Sequence, residues 1–131
     1  MGKLTHQLTD RLTYYRNTVV RLLQDYYALK PRLNSTDTVK EYLVLDKESD
    51  NYLWIRSGWK GTQRVQYIIF HLRIEQDKIW VEEDSTDLCI VDDLLQADIP
   101  KEDIVLGFHH PNKRKLTEFA TGNDTERERA S

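Results

Sequence analysis

From Thr38 to Glu83 the side-chain period is two, through four runs joined by loops too short for any crossover. Val39, Glu41, Leu43 and Leu45 alternate with Lys40, Tyr42, Val44 and Asp46, the pattern of a strand with one partly polar face. Lys47 to Asp50 read as a hairpin loop into a second run, Asn51 to Trp59, where Leu53, Ile55 and Ser57 oppose Tyr52, Trp54 and Arg56. Gly58 and Gly61 bracket Trp59-Lys60 as the next turn. Gln63 to Ile74 follow, with Ile68, Phe70, Leu72 and Ile74 on one face and Val65, Tyr67, Ile69 and His71 on the other. Glu75 to Asp77 turn into a last run from Lys78 to about Glu83. Parallel neighbours need a dozen or more connecting residues, so these strands form an antiparallel meander.

The segments on either side have a helical period. Leu8, Leu12, Tyr15, Val19, Leu22 and Tyr26 recur at three- and four-residue spacing, predicting a long core-facing N-terminal helix that Pro31 must end. Thr9 or Asp10 suits its cap, although Leu4 and Leu8 allow an earlier start. After the meander, Ser85 or Thr86 is the expected cap of a second helix with Leu88, Val91, Leu94 and Leu95 as its apolar stripe and Asp87 near its positive end. Pro100 opens a short helical turn, and the apolar run Ile104 to Phe108 fits a fifth, buried strand that Pro111 stops near His109 and His110. The expected fold is α+β in two layers: a long helix and a shorter one packed on a mainly antiparallel meander with a short C-terminal strand. A single domain should span residues 1–121. Residues 122–131 are almost without apolar side chains and are expected to be a disordered tail.

The chain has 131 residues, 39% hydrophobic and 31% charged, as expected of one soluble domain. No apolar run reaches transmembrane length. The first ten residues lack a signal-peptide core, and the single Cys89 can form no internal disulfide. A cytoplasmic location is the expectation.

Net charge is -3 but unevenly distributed: residues 1–40 carry seven Lys or Arg against three Asp, and residues 82–103 carry nine acids against Lys101. Glu82, Glu83 and Asp84 invite a cation hypothesis, but strand alternation sends the two glutamates to opposite faces, so we read a solvated acidic face or a docking surface. No Lys has Asp or Glu two positions before it, as a common nuclease motif requires. Gly-x-Ser-x-Gly, the Walker loop and Gly-x-Gly-x-x-Gly are absent as well. Cys89 reads as a small buried hydrophobe, and His109-His110 lack companions at ligand spacing. We therefore expect no catalytic residues, metal or cofactor. The basic groups fall in two clusters, Arg56, Lys60 and Arg64 near Trp54, Trp59 and Tyr67, and Lys113, Arg114 and Lys115 after Pro111. They are the candidate nucleic-acid contacts.

An ordered succession of short motifs adds a family resemblance. Gly58-Trp59-Lys60-Gly61 precedes Arg64-Val65, then Lys78-Ile79-Trp80-Val81, then Asp84 with Thr86. Ile99-Pro100-Lys101-Glu102-Asp103-Ile104-Val105-Leu106-Gly107-Phe108-His109 follows, ending in Phe119-Ala120. From about Tyr15 to Ala120 the chain resembles the XisI family, fdxN element excision controlling factors of filamentous, heterocyst-forming cyanobacteria. Leu88-Cys89-Ile90 and Asp98 depart from the small residues and glycine usual there.

The resemblance implies a role in developmentally controlled excision of a DNA element by a separate recombinase. It also implies a partner, XisH, that resembles restriction-type endonucleases; it transfers no catalytic residues. The expectation is a non-enzymatic accessory or controlling factor whose acidic residues Asp92, Asp93, Asp98, Glu102 and Asp103 meet an XisH-like protein. Direct DNA binding and inhibition of an XisH-like nuclease are the alternatives. An exposed sheet edge or face also leads us to expect a homo-oligomer.

Overall fold

The structure, a computed structural model, describes residues 2–29, 38–86 and 89–122, with side chains from Asp10 onward. Pro31, Asp87, Leu88, the Leu8 side chain and most of the expected tail lie outside the described residues. Helix α1 (Gly2–Leu29) is followed by β1 (Lys40–Asp46), β2 (Asn51–Lys60), β3 (Gln63–Glu75) and β4 (Lys78–Asp84), then α2 (Ile90–Gln96), a 3-10 turn (Lys101–Asp103), β5 (Ile104–Leu106) and α3 (Pro111–Arg114). The five strands form one sheet in sequence order, β1 to β4 antiparallel and β5 parallel to β4. The α+β architecture read from the sequence is the observed one. Only the α2 segment is long enough to reverse the chain direction into a parallel neighbour.

The core lies between α1, α2 and one face of the sheet. Tyr15, Val19 and Leu23 of α1 are buried against Tyr52, Trp54, Phe70, Leu72, Ile79, Val81, Ile90 and Leu94. The α1 stripe thus centres on Leu23, where the sequence reading placed Leu22, which is only partly buried. Ring contacts fasten the helix: Tyr26 stacks on Phe70 at 5.4 Å between centroids, and Tyr27 meets Trp54 edge-on at 5.6 Å. Such pairs each add about 0.5–1.5 kcal/mol beyond the area they bury.

Two irregularities redirect side chains. A register shift between Trp54 and Ile55 leaves Ile69 as an extra residue in β3. Beyond this bulge the alternation reverses, so Ile69 is buried and Ile68 exposed, the opposite of the strict-alternation expectation. A second shift, between His71 and Leu72, places Glu82 in excess on β4. Simple alternation therefore no longer separates Glu82 from Glu83.

The turns also differ in detail from their sequence reading. β2 continues through Trp59 and Lys60, and the turn is Gly61-Thr62 with Gly61 at φ 63°. Gly58 lies within the strand at φ 155°, where an added Cβ would come 2.3 Å from the Thr38 carbonyl oxygen. It is the close approach of the Thr38-Val39 backbone that requires glycine there.

Candidate functional site

Three surfaces carry the residues singled out from sequence. The first is the distal end of the β2–β3 hairpin, where Trp59 pairs across the ladder with Arg64 and Arg56 with Tyr67. The Arg64 guanidinium lies 5.4 Å from the Trp59 ring centre, and Trp59 is half exposed. Lys60 is exposed beside them. Arg56 has a different environment. Its Nε and Nη2 donate to one Glu41 carboxylate oxygen at 2.9 and 2.6 Å, while Trp54 Nε1 donates to the other at 3.2 Å. The Glu41 side chain is only 1% exposed, so Arg56 neutralises a buried carboxylate, which is costly to leave unpaired.

The second surface gathers much of the C-terminal signature around Trp80. Its indole donates to the Glu75 carbonyl at 3.0 Å. The Arg73 guanidinium lies 4.3 Å and that of Arg114 5.4 Å from the ring centre. Arg73 also donates to Glu82 at 2.8 Å and pairs with Glu75; these carboxylates hold its pKa above the ordinary guanidinium value despite burial. Arg114 donates to the backbone carbonyls of His109 (2.9 Å), Leu106 (3.2 Å), Gly107 (3.3 Å) and Thr121 (3.3 Å). A side chain with this many carbonyl partners ties the chain after β5 into one unit.

Two glycines here leave little room for a side chain. A Cβ on Gly107 would lie 2.7 Å from the Glu82 carboxylate, and one on Gly122 would meet the Trp80 ring at 2.5 Å. Phe108, half exposed, packs on His109 with centroids 4.5 Å apart, and Phe119 covers the core edge. Pro100, in extended conformation, precedes the 3-10 turn. His110 Nδ1 accepts from Asn112 N–H at 3.2 Å, capping α3 with Pro111 in its first turn. Lys113 and Lys115 are exposed. Among the described residues no cluster of three or more His, Cys, Asp or Glu is arranged to hold a metal ion.

The third surface is the acidic segment, which divides into carboxylates engaged by α1 and carboxylates exposed to solvent. Tyr26 of α1 donates to Asp93 and Tyr15 to Asp103; burial, then the Asp103 contact, pushes the Tyr15 phenol upward. Asp92, Asp98 and Glu102 are exposed. Asp84 organises the entry to α2: its carboxylate accepts from Thr86 N–H at 3.0 Å, Thr86 hydroxyl at 2.7 Å and Ile90 N–H at 3.1 Å. It performs the capping expected of Ser85 or Thr86, since α2 begins at Ile90 and the N-cap position, Cys89, makes no side-chain cap. Cys89 is exposed rather than buried, because it precedes the helix instead of lying inside it.

The tyrosine-carboxylate pairs and the Trp80 stack were not foreseen. Tyr15 and Asp103 are 88 positions apart and Tyr26 and Asp93 are 67 apart, so no local signal could announce them. Asp84, six residues before Ile90, was within reach of a local capping argument.

The family model described as XisI protein matches residues 9–121. No curated protein matches the chain significantly. Two solved structures are similar. One is the fdxN element excision controlling factor XisI from Anabaena variabilis ATCC 29413, 53% identical, TM-score 0.78, over 86% of this chain and 99% of that one. The other is a XisI-like protein from the same organism, 34% identical, TM-score 0.77, over 83% of this chain and 97% of that one. The chain belongs to the XisI family. No described helix is long and apolar enough to cross a membrane.

Proposed function

We propose that this chain is a non-enzymatic, cytoplasmic controlling subunit for excision of a DNA element, acting by contact with an XisH-like protein while a separate recombinase performs the chemistry. One observation carries this reading beyond family membership. The exposed acids Asp92, Asp98 and Glu102 project from consecutive short elements, whereas two of the six candidate DNA-contacting cations, Arg56 and Arg114, are held by Glu41 and by backbone carbonyls. Exposed negative charge along these elements suits a basic protein partner, and complementary charge guides encounter and register.

Coexpression with an XisH-like protein encoded beside this chain should give a complex that copurifies at low salt. Reversing Asp92, Asp98 and Glu102 together should weaken it at least tenfold, since among the described residues none of the three side chains makes a hydrogen bond or ion pair. Two folded proteins that elute separately at micromolar concentration would remove the reading's support. Binding that ignores the reversals would move the contact elsewhere.

A second reading, direct DNA contact, is favoured by the exposed Trp59 beneath Arg64 with Lys60 alongside. An aromatic face backed by cations is how single-stranded nucleic acid is held without sequence preference.

A further inference from the structure

We propose that two copies of this chain associate face to face through the sheet surface away from α1, with Tyr42 of each copy seated in a groove of the other between Ile68 and Glu83. The ladder register defines that surface. Tyr42 pairs with Ile55 and Ile55 with Ile68, so the three share one row across β1, β2 and β3, while Val44 and Leu53 share the next with His71. Tyr52, Trp54, Phe70 and Leu72 point the other way, into the core under α1. Five neighbouring apolar side chains thus lie on the face opposite α1, with Tyr42 49%, Val44 40% and Ile68 37% exposed. Such a contiguous patch marks an interaction surface more often than scattered apolar residues do. Farther along the same face Trp80 is already covered, since Arg73, Arg114 and Gly122 close over its ring.

Beside Ile68 the face is hollow. The groove is lined by Ile55, Gln66, Tyr67, Ile68, Glu83 and Ser85, so it has an apolar floor and a carboxylate acceptor at its rim. Glu83 accepts from the Ser85 hydroxyl at 2.8 Å and retains further lone pairs. An aromatic ring ending in a hydroxyl donor matches these walls, and Tyr42 stands at the opposite end of the row that contains Ile68.

A surface with a knob and a socket in one row complements itself. A two-fold axis running nearly along the strands, between β2 and β3, lays β1 of each copy over β4 of the other and makes both contacts at once. Aligned sheets pack in this way about 10 Å apart, a gap that a tyrosine side chain crosses. Charge agrees with the orientation. Asp46 shares a row with Asn51, Arg73 and Trp80, and the rotation sets it over the second copy's Trp80 ring with its two guanidiniums. Asp46 is exposed, and its hydrogen bonds from Ser49 and Glu48 favour the charged form. Four strands about 4.8 Å apart, each with seven residues at about 3.4 Å, span about 450 Å² per copy. The two copies together reach only the lower end for specific interfaces, so the dissociation constant should be micromolar.

The test uses the full chain under reducing conditions, so that Cys89 cannot link copies. Sedimentation should show a dimer at high micromolar concentration. Tyr42→Ala removes the knob and Ile68→Glu spoils the socket; both side chains are exposed, and circular dichroism verifies that each variant keeps its fold. Each should raise the dissociation constant at least tenfold, because symmetry counts every change twice. An equal mixture of the two variants should then form a dimer at least fivefold tighter than either alone. The mixed pair keeps one complete contact, Tyr42 of the Ile68→Glu copy in the intact groove of the other, whereas each variant's own pair keeps none. A parent chain that is monomeric at high micromolar concentration overturns the proposal. So does a dimer that either substitution leaves unchanged, or a mixture no tighter than the variants alone, which would set Tyr42 and Ile68 in separate contacts.

Discussion

Arg16 of α1 grips Asp50 in the β1–β2 turn through two parallel bonds, Nε to one carboxylate oxygen at 2.7 Å and Nη2 to the other at 3.0 Å. Asp50 sits in the left-handed region at φ 53° and also accepts from the Tyr52 hydroxyl at 2.7 Å. A helix is thereby pinned to the hairpin that begins the meander. Bidentate, partly buried pairs of this kind are stronger than ordinary surface ion pairs.

Removing either partner should destabilise the fold by about 1–3 kcal/mol, and a double-mutant cycle of Arg16→Ala with Asp50→Ala should return a coupling of about 1–2 kcal/mol. Urea denaturation measures both. Arg16, more than any other contact, holds the Asp50 carboxyl below its ordinary range. Because the folded value is depressed, this stability is present above the unfolded value of about 3.9 and is lost as pH falls through the folded one. Asp50→Asn should therefore flatten the fall in stability below about pH 4. An unchanged acid limb would show that the pair contributes no pH-dependent stability.

His71 supplies a second, separate pH window. Its Nε2 lies 3.0 Å from the Asn51 side-chain oxygen, and burial is the main cause that lowers its pKa below the ordinary imidazole value. The unfolded chain then binds a proton that the folded chain does not. Stability should decline as pH falls from about 6.5 to the folded value and level off below it. His71→Gln should remove that slope, and an NMR titration should place the imidazole below 6.5. A midpoint above 6.5 would contradict the burial argument.

The two close-packed glycines of the signature should respond differently. Gly58→Ala combines positive φ with a clash against fixed backbone, so a loss of at least about 3 kcal/mol, or failure to fold, is expected. Gly107→Ala meets the end of Glu82, a side chain held by Arg73, and should cost about 1–2 kcal/mol. Adding Glu82→Ala should recover part of that loss, because the obstructing carboxylate is gone. Additive effects at Gly107 and Glu82 would mean that the clash is not the cause.

The parts of this fold legible in the sequence are those set by local period. The two-residue alternation from Val39 onward and the three-to-four-residue spacing from Leu12 to Tyr26 gave the strands, the helix and their order. Single-residue bulges are invisible to such a pattern: one extra residue in β3 exchanged Ile68 and Ile69 between faces. The same limit applies to charge. Arg56 and Arg64 look alike in sequence, but only the fold sets Arg56 on a buried Glu41 and leaves Arg64 on an exposed tryptophan. Asp93 and Asp103 likewise read as free surface acids until α1 brings Tyr26 and Tyr15 to them.

That division gives the direct DNA-binding reading a sharp form. If the chain holds DNA, the contacts should come from Lys60, Arg64, Lys113 and Lys115, with Trp59 stacking on bases. Trp59→Ala should then weaken binding to single-stranded DNA by about 1–3 kcal/mol. Lys60→Ala or Arg64→Ala should each lower the salt slope by about one while leaving thermal stability within about 0.5 kcal/mol. Arg56→Ala and Arg114→Ala should do the reverse. Arg56→Ala removes two charge-assisted hydrogen bonds from the buried Glu41 carboxylate, and Arg114→Ala releases four carbonyls around the loop after β5. Each should lower the melting temperature by several degrees with little change in salt slope. Fluorescence anisotropy across a salt series, run beside thermal denaturation, separates the two groups. If Arg56→Ala or Arg114→Ala flattens the salt dependence without loss of stability, these arginines contact phosphate, and the structural role assigned to them here is wrong.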